Sequence, residues 1–126
     1  MIKMMLACDG VLPRAAEALI SHFKSQVEVV STAKVTPDSV RIYDCIVIVS
    51  DMLAVAIARP NMKKWNNCVV AITDNTQLEF ATAYRSGASA VFDFSQGAEL
   101  CRFVEGRESP FPTSSSGNSI RSRRDL

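Results

Sequence analysis

The stretch CIVIVS, residues 45–50, decides the fold. Its first five residues are apolar, and no polar residue alternates with them. A strand with one face in water alternates apolar and polar residues, whereas an uninterrupted run is typical of a strand buried on both faces. Such strands occur in parallel sheets that carry helices on both sides. The stretch therefore predicts a central strand of an α/β protein.

Similar apolar runs recur along the chain, and amphipathic helical patterns separate them. The five strands are predicted at residues 2–8, 27–30, 45–50, 68–73 and 90–94. The four longer helices are predicted at residues 13–24, at 52–65 with a break at Pro60, between caps at 74–76 and Gly87, and at 96–105. A very short helix is expected to start at Thr36-Pro37. Regular alternation of this kind predicts a doubly wound, five-stranded parallel sheet with right-handed crossovers.

The composition excludes several classes of function. The chain has 126 residues with a formal net charge of +1, so bulk charge indicates neither a nucleic-acid nor a membrane partner. Its four cysteines are widely spaced and its one histidine is His22, which argues against a zinc site. No signal peptide and no membrane-spanning run is evident. We expect a cytoplasmic protein with reduced thiols and neither a metal nor another cofactor.

Residues 107–126 differ in composition from the rest of the chain. They are rich in Ser, Pro, Gly and Arg, with few large apolar residues after Phe111. Such a segment buries too little apolar surface to fold by itself. We therefore predict one domain over residues 1–106. Residues 107–126 are expected to form a flexible Ser/Arg-rich linker that leads to an output domain outside this chain.

Three stretches at predicted strand ends resemble one known family. VVAITDN (residues 69–75) ends its strand on Thr73, YDCIVIV (43–49) places an apolar strand after an Asp, and AYRSGASAVFDF (83–94) has a Gly-Ala pair before the fifth strand. Together they resemble the receiver domains of bacterial response regulators of the LuxR/NarL class, over residues 1 to about 106. The resemblance implies a flavodoxin-like, receiver-like (βα)5 fold and a role in two-component signal transduction.

The resemblance also implies a phosphorylation pocket, and in this chain the pocket is degenerate. A working receiver holds magnesium with two acids after the first strand and accepts the phosphoryl group on an Asp ending the third. A Thr or Ser on the fourth strand and a Lys on the fifth bind the phosphoryl oxygens. These positions fall on Cys8 and Asp9, Val49, Thr73 and Phe94, and a shift of one or two residues would move the acceptor to Ser50 or Asp51.

The substitutions at these positions have chemical consequences. One carboxylate is a poor magnesium site, because this hard cation prefers several oxygen ligands. Val49 cannot be phosphorylated, and Phe94 supplies no charge to neutralise a phosphoryl group. The position of the aromatic residue that usually swings on the fifth strand falls on Val91. The pattern predicts a pseudo-receiver, with no catalytic residue.

Two enzymatic or phosphotransfer alternatives remain open. Cys8 and Arg14 satisfy C-x5-R, which resembles the thiolate loop of low-molecular-weight tyrosine phosphatases, and the opening MIKMMLACDG resembles sugar-transport IIB domains. Against the phosphatase loop, Ala15 follows the arginine and Pro13 removes a backbone N–H. Against the IIB resemblance, the bulky residues 11–14 follow where small residues are expected. The second alternative is a working receiver that is phosphorylated on Asp51, which requires a third strand two residues longer than predicted.

Purely structural roles compete for the same residues. Cys8 would then be a small apolar residue packed at a strand end, and Asp9 the N-cap of the first helix. Thr73 would satisfy the end of its strand or cap the next helix.

The leading hypothesis is a phosphorylation-independent regulatory and dimerisation module of a transcriptional regulator. A homodimer is expected because two output domains on one frame read paired half-sites of DNA. Input would come from a protein partner or a small ligand, and DNA contact only through the missing output domain. The possible dimer face consists of Tyr84, Val91, Phe92, Leu100 and Phe103.

Overall fold

The computed structural model describes residues 2–62, 68–74 and 76–108. This part of the chain contains five strands and four α-helices, and an α-helix follows every strand except β2. The strands are β1 Met4–Ala7, β2 Val27–Val30, β3 Cys45–Val49, β4 Val69–Thr73 and β5 Ala90–Asp93. The helices are α1 Arg14–Phe23, α2 Met52–Ala58, α3 Gln77–Arg85 and α4 Gly97–Glu108. Residues 109–126 of the predicted linker and residues 63–65 of the predicted helix at 52–65 lie outside the described residues. The first two residues of the predicted linker, 107 and 108, continue α4.

The strands form one parallel sheet in the order β2-β1-β3-β4-β5. This order confirms the predicted doubly wound, receiver-like α/β fold. The order reverses between β1 and β3, and the crevice outside the carboxyl ends of strands at such a switch point is the usual ligand site of these folds. No helix within the described ranges is long and apolar enough to cross a membrane.

Two apolar layers cover the two faces of the sheet. Alternate residues of β3 point to opposite faces, as strand geometry requires. Cys45, Val47 and Val49 join the layer that also holds Leu19 of α1 and Leu100 of α4. The remaining β3 residues join the layer beneath α2 and α3, which includes Ile46, Ile48, Val55 and Ala83. Every residue of β3 and β4 is buried, as the run at 45–50 predicted.

The very short helix expected at Thr36 is replaced by 3₁₀ turns, so that prediction was wrong in detail. Residues 31–44 contain two turns, at Thr32–Lys34 and Ser39–Ile42. The Thr36 and Ser39 side chains accept hydrogen bonds from each other's backbone N–H, at 3.1 and 2.9 Å. A helix of only a few residues is marginally stable, because its nucleation is costly. A 3₁₀ turn pairs backbone groups three residues apart, so it needs fewer residues than a turn of α-helix.

Tyr43 anchors the end of this segment to β2. Its hydroxyl donates a 2.6 Å hydrogen bond to the Glu28 carboxylate. Burial of the ring, followed by the contact with Glu28, raises the pKa of Tyr43 to about 12. The hydroxyl therefore stays protonated and remains a donor at physiological pH.

Helix boundaries follow the signals in the sequence. Thr76 caps α3 by accepting a 3.3 Å hydrogen bond from the Glu79 N–H, and the Glu79 side chain accepts one from the Asp74 N–H just before the helix. Pro60 lies in a 3₁₀ turn that follows α2. Gly87 ends α3 with φ +111°, a conformation that favours glycine.

Replacing Gly87 by Ala should destabilise the protein. An added Cβ would strain a backbone with positive φ and would lie 2.7 Å from the Arg59 Cγ. We expect the free energy of unfolding to fall by about 1–3 kcal/mol in urea denaturation. The matched control is Gly106→Ala on α4, where nothing lies within 4 Å of the added Cβ and the free energy should rise by up to about 1 kcal/mol. Equal effects at both positions would contradict the assignment.

Candidate functional site at the carboxyl edge of the sheet

The predicted pocket residues all lie at one edge of the sheet. Cys8 and Asp9 follow β1, Val49 ends β3, and Ser50 and Asp51 follow it. Thr73 ends β4, and Phe94 follows β5. The parallel sheet thus gathers the residues that the sequence comparison singled out, although the sequence separates them by up to 86 positions (94 minus 8). Their polar side chains, however, bind partners beside their own strand ends or in a neighbouring loop.

Asp9 is held by the turn that follows β2. Its Oδ1 accepts hydrogen bonds from the Ser31 hydroxyl at 2.7 Å and from the Thr32 N–H at 2.9 Å. Its Oδ2 accepts from the Thr32 hydroxyl. These bonds, led by that from the Thr32 side chain, lower the pKa of Asp9. Both oxygens of the one acid kept from the magnesium pair are therefore engaged in a bridge between two loops.

Asp9 does not cap the first helix, so the predicted helix-capping role was wrong; its partners are in the turn after β2. The N-cap of α1 is Pro13, which makes no side-chain capping bond. The Ala15 N–H in the first turn donates instead to the Phe94 carbonyl at 2.9 Å. The start of α1 is thus tied to the end of β5 through the backbone. Ser31 and Thr32 are the partners that sequence reasoning missed, and a Ser-Thr pair directly after β2 was the available signal.

The surroundings of Cys8 differ from those of a thiolate loop. Its Sγ lies 3.7 Å from the Gly10 carbonyl oxygen and 3.9 Å from that of Val11. A phosphate-binding loop surrounds the phosphate with N–H donors, whereas carbonyl oxygens accept hydrogen bonds and repel anions. The Cys8 side chain is half-buried against the core beneath α1. Arg14 is exposed as the first residue of α1.

The end of β3 does not place an acid at the acceptor position. Val49 is the last strand residue and packs into the core. Ser50 then adopts a left-handed backbone with φ +55°, and its N–H donates to the Ile72 carbonyl at 2.8 Å. The Asp51 carboxylate caps α2 by accepting a 3.1 Å hydrogen bond from the Ala54 N–H. The strand therefore stops two residues before Asp51, and the longer β3 that the Asp51 alternative requires is absent.

The ends of β4 and β5 are also closed by local contacts. Thr73 is fully buried, and its hydroxyl donates to the Asp74 carbonyl at 3.0 Å. Phe94, at the lysine position, packs against the same core layer as Val49. The neighbouring Asp93 accepts hydrogen bonds from the N–H and hydroxyl of Ser95, at 2.8 and 2.7 Å. An apolar ring thus fills the position where a receiver carries a cation.

The residues of the possible dimer face differ in exposure. Tyr84 is 55% exposed on α3. The Phe92 and Phe103 rings are half-buried and make an edge-to-face contact with centroids 5.9 Å apart. Val91 and Leu100 are buried in the core, so their side chains offer no contact surface. The usable part of this face is therefore Tyr84 with the Phe92–Phe103 pair.

One groove opens at the same edge as the pocket residues. It has a volume of about 320 Å³ and lies between the turn at Thr32–Lys34 and α2, with Asp51, Leu53 and Ile57 among its lining. Most of its lining side chains are aliphatic. Within residues 2–62, 68–74 and 76–108, no group of three or more His, Cys, Asp or Glu side chains is placed to hold a metal ion.

Asp9→Asn should weaken the protein in a pH-dependent way. The pKa of Asp9 is below its ordinary value of 3.8 in the folded state, so the carboxylate stabilises the fold at pH values above 3.8. That contribution is lost as the pH falls through the lowered folded pKa. Chemical denaturation should therefore find the variant less stable than the wild type at pH 7, with a gap that narrows as the pH falls below 3.8. Asp38→Asn is the control, because the Asp38 side chain makes no capping bond. A gap independent of pH would contradict the assignment.

Comparison with known proteins supports the fold but not a closer relationship. No protein-family model matches the chain. No curated protein matches it at a significant level. Among solved structures, the solution structure of a response regulator protein from Burkholderia multivorans matches with a TM-score of 0.65 and 18% sequence identity. The match covers 89% of this chain and 99% of that one. The chain therefore has a receiver-like α/β fold similar to that of this response regulator protein.

Proposed function

We propose that this chain is a phosphorylation-independent, receiver-like regulatory and dimerisation module of a bacterial transcriptional regulator. It acts in the cytoplasm and reaches DNA only through an output domain outside this chain. The proposal depends mainly on one observation, which is that Val49 ends β3 and packs into the core. Counting from Asp44 in the sequence assigns the acceptor to this residue. An aliphatic side chain there cannot carry a phosphoryl group, whatever the state of the surrounding residues.

The rest of the edge supports the same function. Both oxygens of Asp9 accept hydrogen bonds from Ser31 and Thr32, which leaves fewer of their lone pairs for a magnesium ion. Phe94 offers no positive charge to phosphoryl oxygens. The loss of several pocket groups together favours a module that is regulated by binding over one that is regulated by phosphoryl transfer.

Exposed aliphatic side chains at this edge favour a protein partner as the input. Val11 lies in the β1–α1 loop and is 95% exposed, and Leu53 and Leu78, at the starts of α2 and α3, are 72% and 74% exposed. All three project near the carboxyl ends of strands, where a receiver would be polar and hydrated. Exposed apolar side chains rimmed by polar residues are typical of protein interfaces. If a protein partner binds this edge, chemical cross-linking should capture it with the wild type but not with the Leu53→Asp or Leu78→Asp variants.

The direct test is the intact mass of the protein after incubation with a small-molecule phosphodonor and magnesium. We expect no added phosphoryl group under conditions that fully label a working receiver used as the positive control. Asp51→Asn and Cys8→Ser variants serve as matched controls for the two alternative acceptors.

An adduct would contradict the proposal, and its position would identify the correct function. Labelling that is removed by Asp51→Asn would mean a working receiver. Labelling that is removed by Cys8→Ser, together with turnover of an aryl phosphate, would mean a thiolate site.

Self-association is tested separately. Light scattering over a range of concentrations should show a dimer for the wild type. Tyr84→Arg should weaken dimerisation roughly tenfold or more, because an exposed aromatic in an interface often contributes strongly to binding. Leu53→Arg is the control: it places the same charge at the start of α2, whereas Tyr84 lies near the end of α3, and it should leave the dimer intact. A wild type that is monomeric at every concentration would count against the dimer.

A further inference from the structure

Two cysteines lie in contact in the core, at the opposite end of β3 and β4 from the residues of the carboxyl edge. The Sγ atoms of Cys45 and Cys68 are 3.4 Å apart, and both side chains are fully buried. Cys45 is the first residue of β3, and Cys68 directly precedes β4. The Ile46 N–H donates to the Cys68 carbonyl at 3.2 Å, and Ile46 pairs with Val69. The two cysteines are therefore opposite each other on neighbouring strands and share one face of the sheet.

This arrangement suits a disulfide. Neighbouring strands lie about 4.8 Å apart, which falls within the range of about 4.4–6.8 Å that disulfides span between Cα atoms. The bond can form by rotation of the two side chains while the strands keep their pairing. A metal ion, by contrast, would have to be inserted between two sulfur atoms already in contact in a packed core. The geometry thus favours a bond between the sulfurs over a ligand that separates them.

We propose that Cys45 and Cys68 form an oxidisable dithiol, a modification site that a hydroperoxide converts to an intramolecular disulfide. One thiolate sulfur attacks the peroxide O–O bond, giving a sulfenic acid and hydroxide. The second thiol then attacks the sulfenic sulfur and expels hydroxide, and the S–S bond forms. The two thiols lose two protons and two electrons, and hydrogen peroxide is reduced to two molecules of water.

Both cysteines lie at the amino edge of the sheet, which gives a small oxidant a route to them. Asp44, the residue before Cys45, is half-buried, so the Cys45 thiol lies one residue along the chain from a position that water reaches. Opening at strand ends requires less free energy than global unfolding. The other two cysteines are less suited to the reaction. Cys8 follows the opposite end of β1, and Cys101 lies on α4 and not on the sheet.

The site would link redox state to the stability of the central strands. A disulfide between residues 23 positions apart closes a loop across β3 and β4. Such a link constrains the unfolded chain and so favours the folded state. This inference does not depend on the proposed function, since it concerns residues at the other end of the sheet.

The test is oxidation of the full-length chain by hydrogen peroxide, followed by alkylation under denaturing conditions and tryptic mapping. Lys or Arg separates each cysteine from the next, so trypsin places the four cysteines on four different peptides. We expect a linked pair that contains Cys45 and Cys68, with a mass lower by two hydrogens, and its loss on reduction. A Cys8→Ser variant should give the same linked pair. Cys45→Ala and Cys68→Ala should each abolish it, and Ala keeps the core apolar in case Ser disrupts folding.

A second measurement concerns stability. The thermal midpoint of the oxidised wild type should lie above that of the reduced protein, whereas Cys45→Ala should show no such upward shift after the same treatment. The proposal is overturned if native protein treated with peroxide keeps both thiols alkylatable, if the linkage joins other cysteines, or if the pair reacts only after the protein has been unfolded.

Discussion

Burial of β3 and β4 on both faces is the constraint on which the rest of the structure depends. Every residue of these two strands is withdrawn from water, and alternate side chains enter opposite apolar layers. Because burial of apolar surface is the main favourable term in folding, helices must cover both faces of the sheet. The same constraint reaches the carboxyl edge. Val49 continues the apolar run to the last residue of β3, where a carboxylate would need partners to offset its removal from water.

Polar groups that remain at this edge are satisfied within the protein. Asp9 bridges two loops, Asp51 caps α2, and Asp93 binds Ser95. Reactive sites hold like charges and unsatisfied groups close together, and this arrangement lowers stability. Here each carboxylate has its own donors, so no two of these acids depend on a shared cation for compensation. The edge has the electrostatics of a stabilising structural element, and this is consistent with regulation by contacts made on its surface.

The sequence predicted the fold well because the relevant signals are local and strong. Uninterrupted apolar runs marked the strands, Pro60 and Gly87 marked helix ends, and parallel strands brought the pocket positions to one edge. Features that depend on contacts between distant residues were missed. The bond between Asp9 and Thr32 joins two loops across β1 and β2, and no local pattern distinguishes it from a helix cap. The burial of Leu100 within the possible dimer face depends equally on how α4 rests on the sheet.

Under the proposed function, the missing pocket also affects how a signal is transmitted. A ligand shifts a conformational equilibrium only if it interacts differently with the two states, and switching needs an element with two discrete arrangements. In receivers, Thr on the fourth strand and an aromatic on the fifth respond to the phosphoryl group. Here the Thr73 hydroxyl is bound to the Asp74 carbonyl, and Val91 at the aromatic position is a buried aliphatic residue with no ring to swing. Both positions are thus held in one arrangement. A signal that acts through the core would have to change that arrangement. A partner that favours or prevents dimerisation of whole subunits would not, so it requires fewer changes in this fold.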